Sequence, residues 1–150
     1  MKILILEDDV HLLKVLVKVM SMYGEYYATD NGADAVRVFD EAMTEGAPFN
    51  VALLDIMLPG MDGYEVLGYI RRIEADHKHD GLDGVKVVMV TALNAAKNIM
   101  HAFQENCEAY LTKPYSTDQL EETLANLGIR KANIYLNGEH DEKNNYAGRR

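Results

Sequence analysis

Short apolar segments alternate with longer amphipathic segments along this chain of 150 residues. Residues 3–6 are ILIL and residues 50–55 are NVALLD, so neither segment alternates between polar and apolar positions. Continuous apolar runs of this length are typical of strands buried on both faces. The segment after the first run begins at Asp9, a favoured N-cap type, and carries Leu12, Leu13 and Leu16 at helical spacing. Gly24 is the expected C-cap of this helix. The whole pattern predicts strands over residues 3–6, 25–30, 50–55, 85–92 and 108–112, alternating with helices over 9–24, 31–46, 63–76, 94–106 and 116–128.

This alternation predicts the fold class. Strands that alternate with helices form parallel βαβ units with right-handed crossovers. We therefore expect an α/β protein, a doubly wound (βα)5 flavodoxin-like three-layer sandwich whose parallel five-stranded sheet has the order 2-1-3-4-5. In such sheets the functional crevice lies outside the carboxyl ends of the strands, so the residues that end the strands are the candidates for chemistry.

The chain length is that of one ordinary domain, which we place at residues 1–128. Residues 129–150 lose the alternating pattern and are mostly polar. They are predicted to form a C-terminal tail or linker. The alternative is a segment that docks on the domain or on a second subunit.

Composition narrows the class of protein. Apolar residues make up 48% of the chain, which is typical of a folded domain, yet no apolar run approaches the ~20 residues of a membrane span. The single cysteine excludes an internal disulfide and fits a reducing compartment. We expect a soluble, cytoplasmic protein without a membrane partner. The net charge of −9 argues against a nucleic-acid surface, which needs clustered basic residues.

Acidic residues follow two of the predicted central strands. Glu7, Asp8 and Asp9 come after the first strand, and Asp55 ends the third. The expected strand order makes these strands neighbours, so their carboxylates should meet at one rim of the sheet. Carboxylates this close repel one another, and a hard divalent cation such as Mg²⁺ relieves the repulsion. Taken alone, Asp55 would be explained as a helix or turn cap, an explanation that Asp8 and Lys113 disfavour, whereas Asp9 is explained as an acid favoured at the start of a helix.

A hydroxyl and a lysine join this rim from the remaining strands. Thr91 and Ala92 end the fourth strand, and Lys113 follows the fifth. Lys113 supplies a compact cation that can pair with Asp55 or with an oxyanion on it, and Thr91 supplies a donor. These are the groups that position and neutralise a phosphoryl group, so Asp55 is predicted to be a nucleophile that forms an acyl phosphate.

At these residues the chain resembles the receiver domains of two-component response regulators, the class of the chemotaxis response regulator. The matching stretches are Glu7-Asp8-Asp9, LLDIMLPGMDG around Asp55, VTA at Thr91 and AYLTKPY around Lys113. The resemblance covers about residues 2–127. Together and in this order the stretches are specific for the receiver family, whereas each stretch alone is weak evidence for it.

The resemblance implies a phosphoacceptor and a metal site. Asp55 would accept a phosphoryl group from a histidine kinase or a histidine phosphotransfer protein. Asp8, Asp55 and the backbone carbonyl of Met57 would bind Mg²⁺, and Glu7 would hold it through water. The protein would then catalyse only its own phosphorylation and dephosphorylation, without being an enzyme in the ordinary sense.

The resemblance also implies a switch. Lys113 would pair with the phosphoryl oxygens, and its peptide bond to Pro114 would be cis. Thr91 would turn to bind the phosphate, the Ala92 amide would add a donor, and Tyr110 would turn inward. The surface of the predicted fourth helix, fifth strand and fifth helix would change shape for a downstream protein target, and it is also a candidate homodimer interface.

Two apolar side chains bear on the lifetime of the phosphoryl group. The resemblance places Met57 and Leu93 beside that group, and neither can orient a water molecule. We therefore expect slow self-hydrolysis; the alternative is that the two side chains only pack against each other.

Three other functions remain open on the sequence. A small Mg²⁺-dependent phosphohydrolase would also use an aspartate nucleophile, but it usually needs a second acid nearby, and Met57 cannot serve as one. A receiver that works without phosphorylation is disfavoured by the complete acid, threonine and lysine set. The chain is also compatible with a receiver fragment of a longer transcription regulator or hybrid kinase.

Overall fold

The structure is a computed structural model that describes residues 1–79, 83–92 and 106–132. Five strands and four helices lie in these residues, and the helix predicted over 94–106 falls outside them except for its last residue. The strands are β1 (Lys2–Leu6), β2 (Glu25–Thr29), β3 (Val51–Asp55), β4 (Lys86–Ala92) and β5 (Ala109–Lys113). The helices are α1 (Val10–Met20), α2 (Gly32–Thr44), α3 (Gly63–Asp76) and α4 (Thr117–Asn126).

All five strands form one parallel sheet in the order β2-β1-β3-β4-β5, which confirms the predicted fold class. The register aligns the carboxyl ends of the strands. Leu6 of β1 pairs with Leu54 of β3, the residue before Asp55. Ala92, the last residue of β4, pairs with Lys113, the last residue of β5. The residues that follow these strands are therefore brought to one edge.

The sheet separates two apolar layers because successive side chains of a strand point to opposite faces. In β1, Leu4 and Leu6 pack on the side of α2 and α3. Ile3 and Ile5 pack on the side of α1 and α4. All four are at most 1% exposed, which explains why the strand is apolar at every position.

Local capping chemistry fixes several helix starts. Asp9 caps α1 by accepting from the amides of His11 and Leu12, as predicted. Ser116 caps α4 in a reciprocal pair with Gln119. The expectation that Gly24 caps α1 is wrong, because the helix ends at Met20 with Ser21 as its C-cap.

Gly24 instead lies against the start of the chain. A Cβ atom there would lie 2.2 Å from the carbonyl oxygen of Met1, so only glycine fits without a shift. This close approach joins residues distant in sequence, and helical periodicity carries no information about it.

The described residues just beyond the predicted domain boundary contact the domain. Ile129 is 5% exposed and packs in the apolar layer on the side of α1 and α4. The amide of Ala132 donates to the carbonyl oxygen of Met22 at 2.9 Å. The boundary at residue 128 stays a prediction, and most of the predicted tail lies outside the described residues. Among the described helices, none is both long and apolar enough to span a membrane.

Candidate functional site

Three acids meet at the carboxyl edge of the sheet. Glu7 and Asp8 follow β1, Asp55 ends β3, and one carboxylate oxygen of each lies within 4.8 Å of the others. Glu7 and Asp55 are buried, at 1% and 3% exposure, whereas Asp8 is exposed. The predicted cluster is therefore present, with two carboxylates inside the protein and one facing solvent.

Lys113 bridges the two buried acids. Its Nζ lies 2.8 Å from Oε1 of Glu7 and 3.0 Å from Oδ2 of Asp55. Burial lowers the pKa of Lys113, but its hydrogen bonds with Glu7 and Asp55 outweigh that effect and raise the pKa above its ordinary value. The lysine is therefore held as a cation. The sequence predicted its pairing with Asp55 but did not assign Glu7 as a second partner.

Glu7 is the acid most affected by its surroundings. Burial raises its pKa to about 7, and neighbouring Asp55 adds to the rise. Lys113 opposes this change, as does the Asp9 amide, which donates to Oε2 of Glu7 at 3.2 Å. One lysine thus does not compensate fully for the acids at this rim.

The loop after β3 holds the Asp55 carboxylate from the other side. The Met57 amide donates to Oδ1 of Asp55 at 3.1 Å, while Lys113 binds Oδ2. The Ile56 amide donates to the Val90 carbonyl at 2.9 Å, and the Gly63 amide donates to Ile56 at 3.1 Å. These hydrogen bonds hold both ends of the loop between β3 and α3. Asp55 therefore has a fixed position, although it is the last residue of β3.

Thr91 and Ala92 lie at the end of β4, next to the acid pair. Asp55 pairs with Val90 in the sheet, and Thr91 pairs with Thr112 of β5. Thr91 is 1% exposed, and its hydroxyl donates to the Ala92 carbonyl at 3.4 Å, a long contact. The hydroxyl is therefore held only weakly.

Other predicted features can also be located. The Lys113–Pro114 peptide bond is cis, as expected. Tyr110 packs against the layer on the side of α2 and α3, where burial raises its pKa and Cys107 beside it adds to the rise. Met57 is 64% exposed, and Leu93 lies outside the described residues, so the expectation that the two lie beside a phosphoryl group remains untested.

Sequence reasoning did not select Tyr115. It directly follows Lys113–Pro114, so its place near the rim was predictable from the motif AYLTKPY. Its hydroxyl is buried without a hydrogen-bond partner among the described residues. The sequence motif gives no indication that the hydroxyl is buried, since its burial depends on the packing of Tyr115 against the apolar layer on the side of α1 and α4.

The comparison with protein families agrees with this geometry. The sequence model of one protein family, the response regulator receiver domain, matches residues 3–125 of this chain. The chain therefore belongs to the response regulator receiver domain family, a family of signalling domains in two-component systems.

Relatives of known class support the assignment. The transcriptional regulatory protein TcrA of Mycobacterium tuberculosis is 30% identical over 129 residues, which cover 86% of this chain and 46% of that protein. The chain spans about half the length of the curated relatives it matches.

Solved structures show the same fold. A CheY-like response regulator receiver domain protein from Methanospirillum hungatei is 32% identical, with a TM-score of 0.60 over 85% of this chain and 94% of that chain. The receiver domain of the sensor histidine kinase PA1611 from Pseudomonas aeruginosa is 25% identical, with a TM-score of 0.66 over 85% of this chain and 97% of that chain. That structure has a magnesium ion coordinated in its active site cleft.

Proposed function

We propose that Asp55 accepts a phosphoryl group from a phosphohistidine partner. The observation that carries this proposal is the buried pair of Asp55 and Glu7, which are bridged by a single lysine. Burying two carboxylates is costly unless cations compensate for them. An arrangement that keeps an acid fixed, partly neutralised and at the rim of the crevice suits a nucleophile.

The transfer exchanges a phosphorus–nitrogen bond for a phosphorus–oxygen bond. A carboxylate oxygen of Asp55 attacks the phosphorus atom, a P–O bond forms and the P–N bond to the partner's imidazole breaks. The imidazole leaves with the bonding electron pair and takes up a proton. The acyl phosphate places negative charge beside Lys113, which stabilises it electrostatically. The hydroxyl of Thr91 and the amide of Ala92 are the proposed further donors.

The donor set fits Mg²⁺. Carboxylate oxygens are its preferred protein ligands, and it commonly uses one or two carboxylates together with water and phosphate oxygens. Asp8, Asp55 and the Met57 carbonyl are the proposed direct ligands, with Glu7 acting through water. The metal would neutralise charge on the transferring group.

The proposed output is a change of surface. Thr91 and Tyr110 would couple the phosphoryl group to β5, α4 and the helix predicted over 94–106. We propose a histidine kinase or histidine phosphotransfer protein as the donor, a downstream protein as the target, this surface as a candidate homodimer interface, and a cytoplasmic location. The curated relatives named as transcriptional regulators support the alternative of a receiver within a longer regulator.

The test is intact mass after incubation with Mg²⁺ and acetyl phosphate. Wild type should gain the mass of one phosphoryl group, and the gain should disappear with EDTA. Asp55→Asn should show no adduct, because the amide is a poor nucleophile. The matched control is Asp40→Asn, which removes an exposed acid on α2 and should leave the adduct unchanged.

An adduct of equal yield on Asp55→Asn would mean that another residue is the nucleophile. No adduct on wild type, with acetyl phosphate or with a phosphorylated histidine donor, would contradict the proposal. Rapid release of inorganic phosphate over many turnovers would favour the phosphohydrolase instead.

A further inference from the structure

The hydroxyl of Tyr115 is an unexplained polar group beside the acid site. Its ring packs against the apolar layer on the side of α1 and α4. The hydroxyl oxygen has less than 1 Å² of accessible surface and no hydrogen-bond partner in the described part of the chain. Buried polar atoms without partners are uncommon in native proteins, and each calls for a physical reason.

The hydroxyl lies close enough to the acids to be influenced by them. Burial raises the pKa of Tyr115, and the charges of Glu7 and then Asp55 raise it further. Glu7 shares its face of the sheet, because it continues the alternation of Ile3 and Ile5, which pack in the same layer as Tyr115. The phenol is therefore a neutral hydrogen-bond donor on the same face of the sheet as Glu7.

Glu7 would lose a partner when Asp55 is phosphorylated. Lys113 now divides its ammonium group between Glu7 and Asp55, at 2.8 and 3.0 Å. A phosphoryl group on Asp55 brings more negative charge and attracts Lys113 toward itself. Glu7 would then keep only the Asp9 amide, at 3.2 Å, among the donors that the structure shows for it.

We propose that Tyr115 is a positioning residue whose hydroxyl donates to the Glu7 carboxylate once Lys113 pairs with the phosphoryl group. This inference rests on the proposed function of Asp55. A phenol suits the role because it adds a donor without adding a positive charge that would compete with Mg²⁺. Glu7 then stays oriented toward the metal, and the hydroxyl remains without a partner only in the unphosphorylated state.

The test is Tyr115→Phe, which removes only the hydroxyl, with Tyr69→Phe on α3 as the control for loss of an exposed phenol. Adduct lifetime and the Mg²⁺ concentration for half-maximal phosphorylation are measured by intact mass. Tyr115→Phe should shorten the lifetime or raise the Mg²⁺ midpoint by about three- to tenfold, since a hydrogen bond to a charged group is lost. Tyr69→Phe should match wild type.

Two further measurements distinguish a positioning role of Tyr115 from a role in the stability of the fold. Without donor and metal, the unfolding midpoint of Tyr115→Phe should be at least that of wild type, because no hydrogen bond is lost and a buried hydroxyl without a partner is removed. In a Glu7→Gln background, Tyr115→Phe should have little added effect, since its action passes through the Glu7 charge.

The outcomes are distinguishable. If wild type takes up no phosphoryl group, the proposed function itself fails. If wild type forms the Asp55-dependent adduct and Tyr115→Phe equals it in lifetime and Mg²⁺ dependence, this inference alone is wrong. A lowered unfolding midpoint for the metal-free variant, or an equal effect in both backgrounds, would overturn it in favour of a structural role.

Discussion

At the scale of the residue, Glu7 couples the charge of the site to the stability of the fold. It is 1% exposed, and the favourable contacts from Lys113 and the Asp9 amide do not fully offset the effects of burial and of Asp55 on its pKa. Folding the metal-free protein near neutral pH therefore requires either an unfavourable buried charge or the uptake of a proton. The proposed Mg²⁺ would remove this conflict by favouring the charged form of Glu7.

The free energy of unfolding should depend on pH, because the folded and unfolded states bind different numbers of protons at Glu7. The pKa of Glu7 is about 7 in the folded protein and 4.5 ordinarily, so between these values the folded state binds more protons than the unfolded state. The contribution of Glu7 to the free energy of unfolding should therefore fall as pH rises through this window. Urea unfolding in EDTA from pH 5 to 7.5 should show a steeper fall for wild type than for Glu7→Gln, which cannot titrate.

The control is Glu25→Gln, an exposed acid on β2, which should keep the pH dependence of wild type. Added Mg²⁺ should stabilise wild type more at pH 7.5 than at pH 5, since it binds the deprotonated site. Parallel curves for wild type and Glu7→Gln would show that Glu7 does not take up a proton on folding in this window.

The site residues were partly predictable from the sequence, because they lie at the ends of strands and strand ends can be predicted from the apolar runs. Glu7, Asp55 and Lys113 end or follow apolar runs, and the parallel order brings those ends together. The sharing of Lys113 between two acids was not predictable, since it depends on side-chain burial at the rim. The buried hydroxyl of Tyr115 depends in the same way on packing among distant elements.

At the scale of the element, α3 begins very close to the end of β3, the strand that carries Asp55. A Cβ atom at Gly63, the first residue of α3, would lie 2.3 Å from the carbonyl oxygen of Asp55 and 2.8 Å from the Cα atom of Ile56. Gly68, five residues further on, has open space at the same position. One glycine therefore permits a close backbone approach, and the other only weakens the helix.

Substituting each glycine with alanine should have opposite effects. Gly68→Ala should raise the free energy of unfolding by about 0.5–1 kcal/mol, because glycine is a poor residue in a helix interior. Gly63→Ala should lower it by about 1–3 kcal/mol, because the methyl group forces the backbone apart. Urea denaturation of both variants gives the comparison. Equal changes in the two would mean that the approach of α3 to Asp55 relaxes freely.

Element boundaries were predictable where local chemistry sets them. The predicted helix over 63–76 coincides with α3, whose N-cap is Asp62. Strand β5 begins and ends one residue later than predicted and therefore includes Lys113. The misassigned cap at Gly24 has a different origin, because contact with Met1 is long-range and leaves no periodic pattern.

At the scale of the whole molecule, the two edges of the sheet differ in how their charges are matched. At the amino edge, Arg71 binds Glu74 at 2.6 Å and both carboxylate oxygens of Glu108, while the Val85 amide donates to Glu74 at 2.6 Å. These acids are matched by donors of the protein itself, as in a structural network. At the carboxyl edge, Lys113 is the one cation of the described residues that bridges the buried acids Glu7 and Asp55. The edge whose acids are incompletely compensated is the one at which we propose that the metal and the phosphoryl group bind.

The described residues beyond α4 extend the same fold toward α1. Ile129 adds its side chain to the apolar layer between α1 and α4, and Lys131 forms an exposed ion pair with Glu121 at 3.2 Å. Burying an apolar side chain stabilises a fold far more than a surface ion pair does. We therefore expect the stabilising part of this segment to be Ile129.

This expectation gives a test of where the folded domain ends. In the full chain, Ile129→Ala should lower the free energy of unfolding by about 2–4 kcal/mol, as truncation of a buried side chain leaves a cavity. Lys131→Ala, which removes the exposed ion pair, should change it by less than about 1 kcal/mol. A chain that ends at residue 128 should lose at least as much stability as Ile129→Ala, relative to a chain that ends at residue 132. If both shortened chains unfold at the same urea concentration, the predicted boundary at residue 128 is correct, and the contacts of residues 129–132 contribute nothing measurable to the fold.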